Sequence, residues 1–297
     1  MEATAEHAVA PPGGGSSSST SRSPRVPASR TLRFLPLPAI AAPTVTVPTP
    51  AGQSSTGTPW VAPTDIGHGV GPTATPERTL VGDLTIDVPG TTVHNTLIEG
   101  CVTVTARGVT LDGVEVRCDS WYPIHVIGVG GFTLIRSRID CGGRPEKALY
   151  AEDAGDLRVE ASEIVACDDG LYIDGGNGTR ILRHSVIHHQ APTADAHTDG
   201  IQLGVFEPTS GELVVEGNWF AHDGGRCCAN AVVFLSSTAA VDATIRANHL
   251  DADFGLHLIR CNRASRCVVE DNAVDGRPGS TVVHAPGAAG HARCNVD

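Results

Sequence analysis

The sequence has 297 residues, of which 18% are charged and 4% aromatic, with 34 Gly, 20 Pro and a formal net charge of −12. That composition excludes helix bundles and coiled coils, which need far more Glu, Lys, Arg and Leu, and points to many turns and β-structure. No apolar run reaches the ~18 residues of a membrane span, so none is expected.

The first 79 residues hold five basic and four acidic side chains, which leaves the remainder near −13. A surface that acidic repels phosphate backbones, so nucleic acid is excluded as a partner; a polyanionic glycan would need a bridging cation.

Residues 1–79 hold 13 of the 20 prolines, a Gly run at 13–15 and a Ser/Thr run at 16–21. They bury too little apolar surface to fold, and a disordered leader is expected there. Within it, Arg30 and Arg33 precede the apolar run Phe34 to Ala42, where Ala39-Ile40-Ala41 has the small-residue spacing of a signal-peptidase site. Against that reading, Pro36 and Pro38 interrupt the run and it lies far from Met1, so a merely apolar patch in a linker is the alternative. Nine cysteines favour an oxidising, extracytoplasmic compartment, and Cys261 and Cys267 bracket the loop that is easiest to staple. No CxxC pair is present, which argues against a zinc ribbon.

From residue 91 a phrase recurs: apolar, any, apolar, two variable residues, often Ser or Asn, any, apolar. It ends in turn at Ile98, Val116, Ile139, Ile164, Val186, Phe220, Leu250 and Val274. Its second apolar site falls at 93, 111, 134, 159, 181, 215, 245 and 269, with gaps of 18 to 34 residues. Those are lengths of solenoid coils, not of helical heptads. Each phrase alternates with period two, as a strand with one buried face does. A second short strand follows most phrases, as IHV at 124, LYA at 149, LYI at 171, IQL at 201, VVF at 232 and LHL at 256. Repeats too short to bury their own apolar face must stack in parallel, placing like residues in ladders about 4.8 Å apart. Asn218, Asn248 and Asn272 share one repeat position, as Ser137 and Ser162 do, which suits an internal polar ladder.

This organisation resembles the right-handed parallel β-helix superfamily, which includes pectate lyases, polygalacturonases and uncharacterised secreted bacterial proteins. The segments WYPIHV (121–126), CDDG (167–170) and AHTDGIQ (196–202) look like one uncharacterised branch. The resemblance implies an all-β solenoid over 80–297 that is secreted or cell-wall-associated, monomeric and directed at a polysaccharide. The polygalacturonase order of motifs is not kept, since HTDG follows DDG here and neither GHG nor RIK follows them. Fold alone does not give function, so the side chains must.

Aligning the second strands stacks Tyr122, Lys147, Asp169, Asp199 and Asn230 in one column, with Trp121 and Asp168 one position earlier. The outward column holds His125, Tyr150, Tyr172, Gln202, Val233 and His257. Strict alternation would turn Asp169 and Asp199 inward, and Gly170 and Gly200 suggest a bend that swings them to the rim. Carboxylates one coil apart repel, so one should take up a proton or a calcium ion could bridge them. In glycoside hydrolysis one carboxyl protonates the leaving oxygen and another activates water or attacks the sugar, roles that Asp168, Asp169 and Asp199 could share with His197 as a relay. β-Elimination would instead use Lys147 as base with Tyr150 or Tyr172 donating a proton, but few cations surround it to hold a uronate. Hydrolysis is therefore preferred. Trp121, Tyr122, His125, Tyr150, Tyr172, Gln202 and Asn230 are the expected sugar contacts, although an aromatic stack could equally serve to stiffen the solenoid. The alternative function is a non-catalytic glycan-binding or wall-associated β-helix. No cofactor is indicated beyond calcium.

Overall fold

The computed structural model describes residues 69–143, 147–188, 198–221, 229–236, 238–251, 257–261, 264–275, 282–284 and 289–293. The candidate signal run lies outside the described residues. Among the described residues every regular element is a strand.

The chain winds through coils of three short strands, and every third strand hydrogen-bonds its equivalent in the next coil. Three nine-stranded parallel sheets result, each stacked in sequence order, which makes the molecule a parallel β-helix. The first sheet runs from Arg78–Val81 to Ala273–Asp275, the second from Leu84–Ile86 to Val282–His284 and the third from Thr92–His94 to Ala289–Arg293. The solenoid opens slightly before residue 80, with Arg78, and ordered contacts begin earlier still: the Gly71 amide donates to the Ala161 carbonyl at 2.9 Å.

Two strands per coil were expected, and there are three. The long phrase breaks at one residue of positive φ, which turns the chain from the third sheet into the first: Asn95 (41°), Arg136 (47°), Ala161 (48°), His184 (48°), Ala247 (52°) and Asp271 (54°). Gly113 and Gly217 stand at the same corner, where an added Cβ would meet Asn95 Oδ1 at 2.6 Å and His184 Cδ2 at 2.7 Å. Apolar alternation continues through the corner, so a period-two pattern alone does not reveal the bend.

The residue after each corner builds the internal ladder. Backbone amides of successive coils donate to the side-chain oxygen one coil on: Val114 to Ser137 (3.1 Å), Ser137 to Ser162 (3.2 Å), Ser162 to Ser185 (3.1 Å), Ser185 to Asn218 (2.9 Å), Asn218 to Asn248 (3.0 Å) and Asn248 to Asn272 (3.0 Å). The serine and asparagine positions therefore form one column. Each asparagine also donates through Nδ2 to a third-sheet carbonyl, Leu182, Val215 or Ile245, which satisfies buried polar groups that a corner would otherwise orphan.

Apolar rows from all three sheets fill the interior, and most of their side chains are fully buried. Each such Leu, Ile or Val contributes about 1.5–3 kcal/mol by leaving water. One predicted core position is displaced by a residue: register pairs Val159 with Leu182 and Arg158 with Ile181, so Leu182 and not Ile181 faces inward. The reason is Arg180, which takes the next inward place between Leu157 and Leu213 at 1% exposure. Its guanidinium donates to the carbonyls of Ala154 (3.1 Å), Gly175 (3.3 Å), Gly178 (3.0 Å) and Ser210. A charge in a core row interrupts the apolar period by which the inward positions are read.

The expected Cys261–Cys267 staple is present, and Cys101–Cys118 and Cys141–Cys167 join neighbouring coils where the first sheet turns into the second. The three remaining cysteines lie outside the described residues.

Candidate functional site

The second sheet carries the residues of interest. Its strands Ile124–Ile127, Lys147–Glu152, Asp169–Asp174 and Thr198–Leu203 are adjacent, and their register puts His125, Tyr150, Tyr172 and Gln202 in one row. His125 stacks on Tyr150 with ring centroids 4.8 Å apart and planes 9° apart, while Tyr150 meets Tyr122 at 4.9 Å and Tyr172 at 5.3 Å. His125 Nε2 also lies 2.9 Å from Glu152 Oε2. Burial, first, and nearby carboxylates raise the hydroxyl of Tyr150 to about 12, and burial raises that of Tyr172 further. Both phenols are therefore neutral donors at ordinary pH.

Beyond Gln202 the expected row is corrected. Register shifts between Thr198 and Asp199, which pair with Ala229 and Ala231, so Asn230 sits in a bulge. Phe234 and Arg260 consequently follow Gln202, whereas Val233 faces the core and His257 pairs with Ala231. The shared column of His125 and His257 does not exist.

Lys147 and Asp169 are register partners, as expected, and Lys147 Nζ lies 4.5 Å from the Tyr172 ring centroid and 5.9 Å from that of Tyr122. A Cβ added to Gly170 would lie 3.0 Å from Ile187 Cδ1, and one added to Gly200 would lie 2.9 Å from Phe220 Cδ1. Both glycines thus lie against the core, as do Leu171 and Ile201 after them, so strict alternation does not hold at this point of the strands. The rim was the wrong expectation for the aspartates: Asp168, Asp169 and Asp199 are 7%, 6% and 0% exposed. Each is held by hydrogen bonds. Thr198 Oγ1 donates to Asp168, and the Asp199 amide donates to Asp169 Oδ1 at 2.8 Å. Asn230 Nδ2 donates to both Asp199 oxygens at 3.1 and 3.3 Å, and Arg260 Nη1 donates to Asn230 Oδ1 at 3.1 Å. Burial, and after it the charge of Asp169, raises the Asp199 pKa well above the usual carboxyl value of 3.8.

An open groove of about 1110 Å³ lies over the early coils. Trp121, Tyr122 and His125 line it together with Asp83, Glu99, Arg117, Asp119, Asp140 and the Cys101–Cys118 bridge. Trp121 is 61% exposed, so its face is open to a ligand. Arg117 pairs with Glu115 at 2.7 Å. Of the predicted sugar contacts only Trp121, Tyr122 and His125 line this groove; Tyr150, Tyr172, Gln202 and Asn230 do not, nor do Lys147, Asp168, Asp169 and Asp199, although Tyr122 touches both regions through Lys147.

His197 lies outside the described residues, as do most of the residues linking the first sheet to the strands at Thr198 and Ala229. Among the described residues no group of three or more His, Cys, Asp or Glu side chains is arranged to hold a metal ion. Asp174 ends its strand, and its Oδ1 accepts the amides of Val205, Phe206 and Glu207 at 3.0, 3.1 and 3.0 Å. Sequence reasoning missed Arg260 and the groove's acidic wall. Arg260 needed the bulge, and the wall comes from corners of separate coils, of which the cysteine column was the one available signal. Comparison with models of protein families, with curated proteins and with solved structures finds no match to this chain.

Proposed function

We propose that this chain is a secreted, pectate-lyase-like β-helix that recognises a polysaccharide along the outer face of its second sheet. The observation that carries this reading is the open groove in which exposed Trp121 stands beside Tyr122 and His125 among carboxylates and hydroxyls. Aromatic faces take the apolar faces of sugar rings, and carboxylates accept from sugar hydroxyls. Among the described residues Arg117 is the one arginine that lines the groove, and it is paired with Glu115, so a neutral sugar fits better than a uronate.

Cleavage is the catalytic form of the same proposal. Asp199, whose pKa burial and then the charge of Asp169 raise, has the makings of a general acid, and Asp168 or Asp169 would then serve as the ionised partner. A non-catalytic glycan-binding protein is the second reading, favoured by the complete burial of Asp199 and the bonds that Asp169 and Asp199 make to neighbours. Mass spectrometry of a glycan panel incubated with the full chain separates the two. Hydrolysis predicts products carrying one added water, absent with Asp199→Asn; intact glycans from wild type and variant alike would leave binding alone.

A further inference from the structure

The bulge in the second sheet assembles a chain of polar groups that ends on a buried carboxyl. Thr198 and Asp199 pair with Ala229 and Ala231, so Asn230 is the extra residue between them. Its Nδ2 donates to both Asp199 oxygens at 3.1 and 3.3 Å, and its Oδ1 accepts from Arg260 Nη1 at 3.1 Å. Arg260 belongs to the strand His257–Cys261, where its register partner is Phe234. Its guanidinium lies over the Phe234 ring, 4.6 Å from the centroid, which holds it against the outward face of the sheet.

A guanidinium only donates, so it takes the carbonyl end of an amide and leaves the NH2 end for the carboxylate. The orientation of Asn230 therefore follows from Arg260. Without Arg260 the amide loses the donor that holds its Oδ1, and an Oδ1 turned toward Asp199 is repulsive unless the carboxyl carries a proton. Arg260 thus favours ionisation of Asp199 twice, by its charge and by the way it holds Asn230. Burial and the charge of Asp169 act in the opposite direction and outweigh it. The other charged groups of this neighbourhood come from three strands. Asp169 lies one coil back with Lys147 as its own register partner, and Asp168 accepts from Thr198 Oγ1. His257 pairs with Ala231 two coils from Asp199, its pKa lowered by burial and then by Arg260.

We propose that Arg260 is a positioning residue: by clamping Asn230 it keeps Asp199 able to lose and regain a proton although that carboxyl is fully buried. Arg260 does not line the groove. The catalytic meaning of the clamp rests on the cleavage reading above, in which Asp199 gives a proton to the leaving oxygen and must then take one back from water.

The test reads the protonation of Asp199 without any glycan, so its outcome is independent of cleavage. Melting temperatures of the full chain and of Asp199→Asn are compared from about pH 4 to about pH 10, with Arg260 and with Arg260→Gln. The margin of Asp199→Asn over its parent widens until the pH passes the folded-state pKa of Asp199, and then levels off. With Arg260 present it levels off within that range. With Arg260→Gln the levelling moves to higher pH, and Arg260→Lys, which keeps the charge and a donor, brings it part of the way back. A merely structural arginine would lower both melting temperatures alike and leave the levelling pH where it was. That result, a move to lower pH, or a margin still widening at about pH 10 with Arg260 present would overturn the proposal. Should Arg260→Gln fail to fold by circular dichroism, Asn230→Ala, with and without Asp199→Asn, must give the same upward move, and its absence would overturn the proposal equally. Intact glycans beside an upward move would sink cleavage and leave the clamp in place.

Discussion

Asp199 keeps its carboxyl fully buried, beside Asp169 one coil away and bonded to Asn230. Its pKa is raised, so the fold favours the protonated form; the stability this contributes is complete below 3.8 and is lost as pH rises through the folded-state value. Asparagine imitates the neutral form. Asp199→Asn should therefore exceed wild type in Tm by a margin that widens from about pH 4 to about pH 8, as calorimetry would record. A margin independent of pH would mean that Asp199 ionises without cost. Arg180 is the other buried charge whose loss is expected to show. Arg180→Leu keeps the volume of its neighbours Leu157 and Leu213 but leaves four carbonyls without their donor. A loss of about 2–4 kcal/mol is expected by urea denaturation, because orphaned buried acceptors cost more than the charge that served them.

Corners and ladders decide the elements. Asn248 accepts from the Asn218 amide and donates to the Val215 carbonyl, so Asn248→Ala removes both and should cost about 2–3 kcal/mol in the same assay. One residue before it, Ala247 sits at φ 52°, where a Cβ is strained. Ala247→Gly should gain about 0.5–1 kcal/mol, and a loss would show that the corner is not left-handed in solution. At this scale the sequence was legible wherever side chains repeat: the phrases, the polar ladder and the row from His125 to Gln202 all follow from like residues stacking. It was illegible where backbone geometry intervenes. The bulge at Thr198 and Asp199 moved Phe234 and Arg260 into the outward row, and the positive-φ corner split each phrase without interrupting its apolar period.

The whole molecule is a tube whose working surfaces are assembled across coils. Its groove joins side chains from Asp83 to Asp140 through corners that two disulfides hold, Cys101–Cys118 and Cys141–Cys167. No local run of sequence contains that groove, which is why its acidic wall went unread while Trp121 and Tyr122 were found. Cross-links closing loops of 17 and 26 residues are worth roughly 3 kcal/mol each, so the reduced chain should melt well below the oxidised one. The central claim is that this groove binds a polysaccharide. Calorimetric titration of a panel of neutral and acidic oligosaccharides into the full chain tests it most directly, with Trp121→Ala as the comparison. The account predicts that a neutral glycan binds and that its affinity falls at least tenfold, about 1.4 kcal/mol, in the variant. Binding of an acidic glycan alone, or equal affinity for both proteins, would contradict it.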